Sequence, residues 1–421
     1  MAKIQKVFAR EVLDSRGNPT VEVELTTEDG IFTAMVPSGA STGTYEACEL
    51  RDGDEKRYNG KGVLKAVDNV NTKISQIVIG MEVTQQKDID EAMIKADGTE
   101  NKTNFGANAI LAVSMAACRA AAKAKKMELY EYIGALGENK NFILPIPMVL
   151  VLEWGKHADQ SSDLQEFMIM PHKAANFKEA IRIGSEIYHA IGKVLKKDGF
   201  NINVGFEGAY GPSLKSNERV FQVIVEGIKA AWYKPGEEVE IAIDGAASEF
   251  HKDGKYDLQA DGKVLDAEGM VQFYEDLCSK YPIASIEDGL AEDDRDTRTL
   301  LNKRLWDKIQ VIGDDLTVTN VVRLQKAIDL KSINSILIKV NQIGTVTETI
   351  NAINLAKKNG LKAVVSHRSA ETEDTFIADF VVGMWTGYSK FWATARSERT
   401  AKYNQLMRIE EKLWANAKYG K

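Results

Sequence analysis

The feature that most constrains this chain is a series of short apolar runs in its second half, each closing on a charged or polar residue. VEIAID ends at Asp244, IASIE at Glu287, IQVIGD at Asp314, SILIK at Lys339 and KAVVSH at His367. Successive ends lie 43, 27, 25 and 28 residues apart, about the length of one strand–helix unit. Amphipathic segments of helical length, such as Ala267–Lys280 and Val346–Lys358, lie between them. Right-handed βα units that wind in one direction close into a barrel, and the strand C-termini then share one mouth. The spacing predicts that Asp244, Glu287, Asp314, Lys339 and His367 converge there. A doubly wound open sheet is the competing architecture, because periodicity alone does not separate the two.

The texture before residue 140 is different. Residues 4–9, 20–26 and 31–36 read as strands, with turn signals at Ser15-Arg16-Gly17-Asn18-Pro19 and Glu28-Asp29-Gly30. Helical patterns follow at about 61–79, 86–96 and 106–126, the last rich in Ala and Leu. Strands followed by helices predict an α+β domain. GALGENKN (134–141) reads as a linker, which divides the chain into residues 1–138 and 142–421.

The 421 residues are 44% hydrophobic and 27% charged, enough to bury a substantial core and too apolar for a disordered tail. With 54 basic against 61 acidic residues and a net charge of −7, nothing favours a nucleic-acid partner. Cys48, Cys118 and Cys278 form neither a CxxC pair nor a Cys/His ligand spacing, which fits a reducing compartment. The N-terminus carries charges throughout and does not read as a signal peptide. The most apolar stretch, Phe142 to Leu152, is short and contains Pro145 and Pro147, so no membrane span is expected. A soluble, cytoplasmic protein is the expectation.

Three carboxylates from successive strand ends suit a hard divalent cation such as Mg²⁺. The plainer role for any one of them is a helix cap or a salt bridge. A lysine beside cations can lose enough basicity to act as a base, whereas a structural partner to a carboxylate is the plain role for Lys339. The Arg368 guanidinium, with Ser369, matches phosphate oxygens. The P-loop, HExxH and dinucleotide GxGxxG signatures are missing from the sequence, and the GxSxG match at GASTG (39–43) does not lead into a helical pattern as a nucleophile elbow would. PSGASTG (37–43) reads as a loop rather than a nucleotide cradle.

These residues sit within longer motifs that resemble the enolase family along nearly the whole chain. The segments are DSRGNPTVEVE (14–24), PSGASTG (37–43), ELRDGD (49–54), FGANAILAVS (105–114), QEFMI (165–169) and SIEDGL (285–290). GDDLTVTN (313–320), LIKVNQIG (337–344), SHRS (366–369), ETED (371–374), ARSER (395–399) and AKYNQLMRIEE (401–411) complete them. The resemblance implies an α/β fold, an enolase-type variant (β/α)8 barrel with an N-terminal α+β capping domain. It implies Mg²⁺-dependent, reversible dehydration of 2-phosphoglycerate, a small phosphorylated acid, with two Mg²⁺ per site. Asp244, Glu287 and Asp314 would hold the first ion, and Ser41 would help complete the second. Lys339 would be the base, and Glu207, assisted by Glu166, the acid. Lys390 would contact the substrate carboxylate, Arg368 and Ser369 the phosphate, while His157, Gln165 and His367 would line or close the pocket. A homodimer or a ring of dimers is implied too, with a cross-subunit ion pair mapping to Glu22 and Arg408.

Departures from the family pattern cluster near these positions. NIINGG is replaced by Leu150-Val151-Leu152-Glu153-Trp154-Gly155, and VGDEGGYAPN by a segment with Phe206, Ala209 and Gly211. Ala370 stands in place of glycine after SHRS, and Phe391-Trp392 in place of Thr-Gly after Lys390. Aromatic bulk at such positions changes pocket volume and polarity. Two further readings therefore stand beside an ordinary enolase. One is an enolase-like lyase acting on another acid, of the type illustrated by carboxyphosphonoenolpyruvate synthase, with a phosphonylated substrate. The other is a non-catalytic binding protein on the same scaffold.

Overall fold

The computed structural model describes residues 2–39, 43–154, 162–292 and 294–420. Near the N-terminus β1 (Lys6–Leu13), β2 (Pro19–Thr27) and β3 (Gly30–Met35) form an antiparallel meander. Along β2 the side chains alternate. Val21, Val23 and Leu25 are fully buried, while Glu22 and Glu24 face outward and meet Arg10 of β1. The β1–β2 turn is closed by Asp14, whose carboxylate accepts the Arg16 and Asn18 amides, with Gly17 in the left-handed region its turn requires. Of the helices that follow, α2 (Ala107–Ala124) packs on β2 and β3, while α1 (Gln86–Asp97) and α3 (Leu129–Leu136) pack on α2. The alanines of α2 let it pass close to its neighbours, so almost all of its faces are buried. Helix α3 runs through Gly134, so the chain leaves regular structure only after Leu136.

The remainder of the chain builds a closed barrel. Its strands are β4 (Ile146–Pro147), β5 (Val149–Glu153), β6 (Glu166–Met170), β7 (Glu240–Asp244), β8 (Ile283–Glu287), β9 (Gln310–Gly313), β10 (Ser335–Ile338), β11 (Lys362–Ser366) and β12 (Gly387–Lys390). The hydrogen-bonded order is β4-β12-β11-β10-β9-β8-β7-β6-β5. Only Met148 separates β4 from β5, and its amide donates to Ser389 O at 2.8 Å. One bent strand therefore forms both ends of the sheet and shuts it, which excludes the open doubly wound alternative.

Strand β6 is antiparallel to both β5 and β7, whereas the other neighbours run parallel. This reversal has a direct consequence. The start of β6, rather than its end, lies level with the C-terminal ends of the other strands, and Glu166 is in register with Asp244. Helices α4 (Phe177–Lys197) and α5 (Asn217–Ala230) follow β6. Then α6 (Ala267–Lys280), α7 (Arg295–Leu305), α8 (Val321–Asp329), α9 (Val346–Lys358) and α10 (Phe376–Gly383) alternate with the strands, and α11 (Ser397–Leu413) follows β12. Side-chain caps start several of them: Asn176 accepts Glu179 N, and Thr345 accepts Glu348 N. No helix among the described residues is long and apolar enough to cross a membrane.

The two parts share one hydrophobic cluster, in which α3 packs on α10, and polar contacts border it. Asp374 accepts both terminal nitrogens of Arg119 at 2.7 Å and the Met35 amide at 3.0 Å. Asp90 of α1 accepts the Thr347 amide and hydroxyl at the start of α9. Ser38 exchanges backbone hydrogen bonds with Ala370, which carries the segment after β3 onto the barrel mouth.

Candidate active site

The mouth gathers residues from seven strand ends. Asp244 and Glu287 are the last residues of β7 and β8, and Lys390 is the last of β12. Asp314 and Lys339 come immediately after β9 and β10, and His367-Arg368-Ser369 follow β11. Glu166 opens the reversed β6, with Gln165 just before it. Glu207 arrives on the loop between α4 and α5. All of these except Lys339 are at most 6% exposed, so water does little to screen their charges. A cleft of about 40 Å³ is bordered by Gln165, Glu166, Glu207, Asp244, Asp314, Lys339, Arg368, Ser369, Lys390 and Trp392. Ser41 and His157 lie outside the described residues.

Two lysines occupy the centre of the acidic ring. Lys390 Nζ lies 2.7 Å from Glu287, 2.8 Å from Glu166 and 3.0 Å from Asp244. Burial opposes its charge, but these three carboxylates outweigh that and raise its pKa well above the usual lysine value. Lys339 pairs with Asp314, whose other oxygen accepts Gln342 Nε2 at 2.9 Å. Burial again opposes the lysine's charge, and Asp314 again prevails, so Lys339 is held above the ordinary lysine range. The sequence-based expectation ran the other way, toward a weakened base. The difference is one of neighbours: here Lys339 faces an anion.

The acids divide in the same way. Burial would raise the Asp314 carboxyl, but Lys339 and Gln342 hold it below the usual value. Glu207 is fully buried, and desolvation followed by the charge of Glu166 pushes it well above the usual carboxylate range. Glu287 is raised for similar reasons, burial first and Asp244 second. Its Oε1 has no hydrogen-bond partner among the described residues. His367 is kept neutral by burial and by Arg399, whose guanidinium lies 3.3 Å from Nδ1.

Arg368 donates to Glu46 at 2.8 and 3.1 Å and to Asn341 at 2.9 Å, while its amide donates to Glu371. The buried Ser369 hydroxyl has no partner among the described residues. Arg399 donates to the carbonyls of Arg368 and Ser369 at 2.8 and 2.6 Å and so shapes this turn from behind.

Among the described residues, the acids whose ligand atoms lie within 4.8 Å of one another are Asp288, Asp314 and Asp315. This set shares only Asp314 with the expected ligands. Asp288 is engaged elsewhere: it pairs with Arg298 at 2.9 Å and accepts the amides of Asp314 and Asp315. Asp315 is pushed up to about 8 by burial and by Asp314. Both are the second acid of a tandem pair, ED and DD, and the tandem was the only signal in the sequence. Glu46, Glu371, Gln342 and Arg399 were also missed as contributors, although the last three lie inside the quoted motifs.

A hard cation fits this donor set. Asp244 and Glu287 already converge on a positive group, and Glu287 retains a buried oxygen with no partner among the described residues.

Most of the aromatic departures turn away from the cleft. Trp154 is buried against Phe167 and donates Nε1 to Pro212 O at 2.8 Å. Phe206 is 46% exposed, and Phe391 packs near Tyr403. Trp392 is the exception. It lines the cleft, meets His367 edge to face and lies under the Arg399 guanidinium, 4.4 Å from its ring centre. Its φ of +72° is in the left-handed region, a cost of about 1–2 kcal/mol for a residue with a Cβ. The Tyr403 hydroxyl and the Leu150 amide, both donating to Trp392 O, hold it there.

A closed α/β barrel with an α+β cap and a buried ring of acids and lysines at its mouth defines a lyase-type enzyme of the enolase superfamily. The family model described as Enolase, N-terminal domain matches residues 4–133, and Enolase, C-terminal TIM barrel domain matches residues 141–421. The chain belongs to the enolase family.

Proposed function

We propose that this protein catalyses the reversible dehydration of 2-phosphoglycerate to phosphoenolpyruvate, with residues 1–138 as the cap and 142–421 as the catalytic barrel. The observation that carries the reading is one buried cleft bordered both by a lysine and by a glutamic acid whose proton burial holds more tightly than usual. Lys339 acts as the neutral amine: with Asp314 drawn to a cation it would lose the anion that holds its proton, and its Nζ then removes the proton from the carbon beside the substrate carboxylate. Glu207, supported by Glu166, gives its proton to the departing hydroxyl, which leaves as water. Lys390 meets the substrate carboxylate, and Arg368 and Ser369 hold the phosphate, with Gln165, His367 and, outside the described residues, His157 around it. Asp244, Glu287 and Asp314 hold Mg²⁺, and Ser41 contributes to a second ion. When bound, Mg²⁺ supplies the positive charge that stabilises the anion built up on the substrate carboxylate. A site of this kind excludes bulk water, so the protein's charges act at full strength. Glycolysis in the cytoplasm, as a homodimer, is the setting that goes with this activity.

Trp392 favours a second reading in which the same proton removal serves a different small phosphorylated or phosphonylated acid. Enol-phosphate absorbance with Mg²⁺ and 2-phosphoglycerate tests the first reading. Product formation that Glu207→Gln abolishes supports it. No product from folded wild-type protein overturns it and leaves the second reading to a screen of phosphonylated acids.

A further inference from the structure

We propose that Glu153 is a positioning residue for the acid step, a buried carboxylate that anchors the loop carrying Glu207 and so sets where the acid reaches. The inference rests on Glu207 being the proton donor.

Glu153 ends β5 and is fully buried, yet it does not border the cleft. Its carboxylate receives two amides of the acid loop. Ala209 N donates to Oε1 at 2.9 Å, and Glu207 N lies 3.3 Å from both oxygens. Glu153's own amide donates to Tyr210 O at 3.0 Å, and Tyr210 N donates to Val151 O at 3.2 Å. The strand therefore grips the loop by its backbone on one side and by a side chain on the other.

The loop cannot supply that anchor itself. Gly205 N turns inward to Ala209 O, and Gly208 is in the left-handed region, where a Cβ would lie 3.1 Å from Ala395 O. The Tyr188 hydroxyl donates to Gly208 O at 2.8 Å from the outer side. In this tight bend the amides of 207 and 209 point the same way, and a buried amide without an acceptor is costly. One carboxylate satisfies both. Glu153 is also in register with Glu166, the acid's partner, so one residue braces the loop from the strand next to that partner. A shift of about 1 Å in a group that must meet a leaving hydroxyl can cost on the order of 100-fold in rate.

The test compares Glu153→Leu, which removes both acceptors at similar size, with Glu153→Gln, which keeps Oε1. Two readouts are taken with Mg²⁺ and 2-phosphoglycerate in deuterated water: exchange of the α-proton, which reports Lys339, and formation of enol phosphate, which also needs Glu207. Amide hydrogen exchange at Glu207 and Ala209 is measured on the same proteins without substrate. Glu153→Leu is expected to lose protection at those two amides and to form product about 100-fold more slowly. Its KM and α-proton exchange stay close to wild type, and Glu153→Gln recovers most of both losses. Unchanged protection, or equal loss of exchange and product in folded Glu153→Leu, overturns the inference. A wild-type protein that neither exchanges nor dehydrates the substrate overturns the reaction reading instead, while the protection data still decide the anchor.

Discussion

Two ionic clusters of this protein, one at the seam between cap and barrel and one at the barrel mouth, use the same residue types to opposite effect. At the seam, Asp374 receives two guanidinium nitrogens and the amides of Met35 and Phe376. Burial alone would raise its carboxyl, but Arg119 outweighs that and holds it below the usual value. At the mouth, Glu207 and Glu287 are more deeply buried and are pushed upward, and an oxygen of Glu287 has no partner among the described residues. Full satisfaction marks a joint; incomplete satisfaction marks a place kept for a ligand.

The comparison can be broken, first at Asp374. Asp374→Ala leaves the partly exposed Arg119 and the Met35 and Phe376 amides without their acceptor and is expected to cost about 3 kcal/mol in urea unfolding, while activity per folded molecule is unchanged. A cost below about 1 kcal/mol, the value of a surface pair, would remove the distinction.

Asp90 is the seam's exception, because burial pushes its carboxyl up to about 6 from 3.8 despite the hydrogen bonds it accepts. The folded state therefore holds this proton more tightly than the unfolded chain. Its contribution is full below the unfolded value and is lost as pH rises through the folded one. Relative to wild type, Asp90→Asn should gain about 3 kcal/mol between about pH 3 and pH 7. Urea midpoints across that range check it, and a difference that stays flat with pH contradicts it.

Smaller effects sharpen the mouth. Trp392→Gly opens a hole but releases a left-handed backbone, so its net cost should be about 2 kcal/mol, below the 3–5 kcal/mol usual for truncating a large buried aromatic. Thermal unfolding measures this, and steady-state kinetics with bulkier phosphorylated acids should show their kcat/KM rising relative to 2-phosphoglycerate. Glu287→Gln has the smallest expected effect on stability, with a Tm no lower than wild type, because it removes a buried charge while Lys390 keeps Glu166 and Asp244. A large drop in Tm would place Glu287 with Asp374 among the joints.

The sequence spoke clearly where geometry follows from spacing. Asp244, Glu287 and Lys339 sit at strand ends because a strand–helix unit has a nearly constant length, and Ala267–Lys280 and Val346–Lys358 are helices with the bounds their amphipathic pattern indicated. Strand direction was not legible. QEFMI opens on its polar pair, Gln165-Glu166, where the other runs close on theirs, but one inverted run does not by itself show the reversal of β6 that brings Glu166 to the mouth. Nor could a tandem pair reveal which acid faces the centre, since Glu287 and Asp288 differ only in the partners that tertiary packing delivers. The basicity of Lys339 depends on a contact with Asp314, 25 residues away. Trp154 and Trp392 looked alike as intrusions, yet the turn geometry buries one in the core and leaves the other in the cleft wall.

The central claim is that the mouth removes a proton from a small phosphorylated acid through Lys339. Its most direct test is proton NMR of 2-phosphoglycerate with the Mg²⁺-loaded protein in deuterated water, wild type beside Lys339→Ala. The account predicts loss of the α-proton signal with wild type, and a rate lower by about 100-fold or more for the variant. A persistent signal with folded wild-type protein, or equal loss with both proteins, would contradict it.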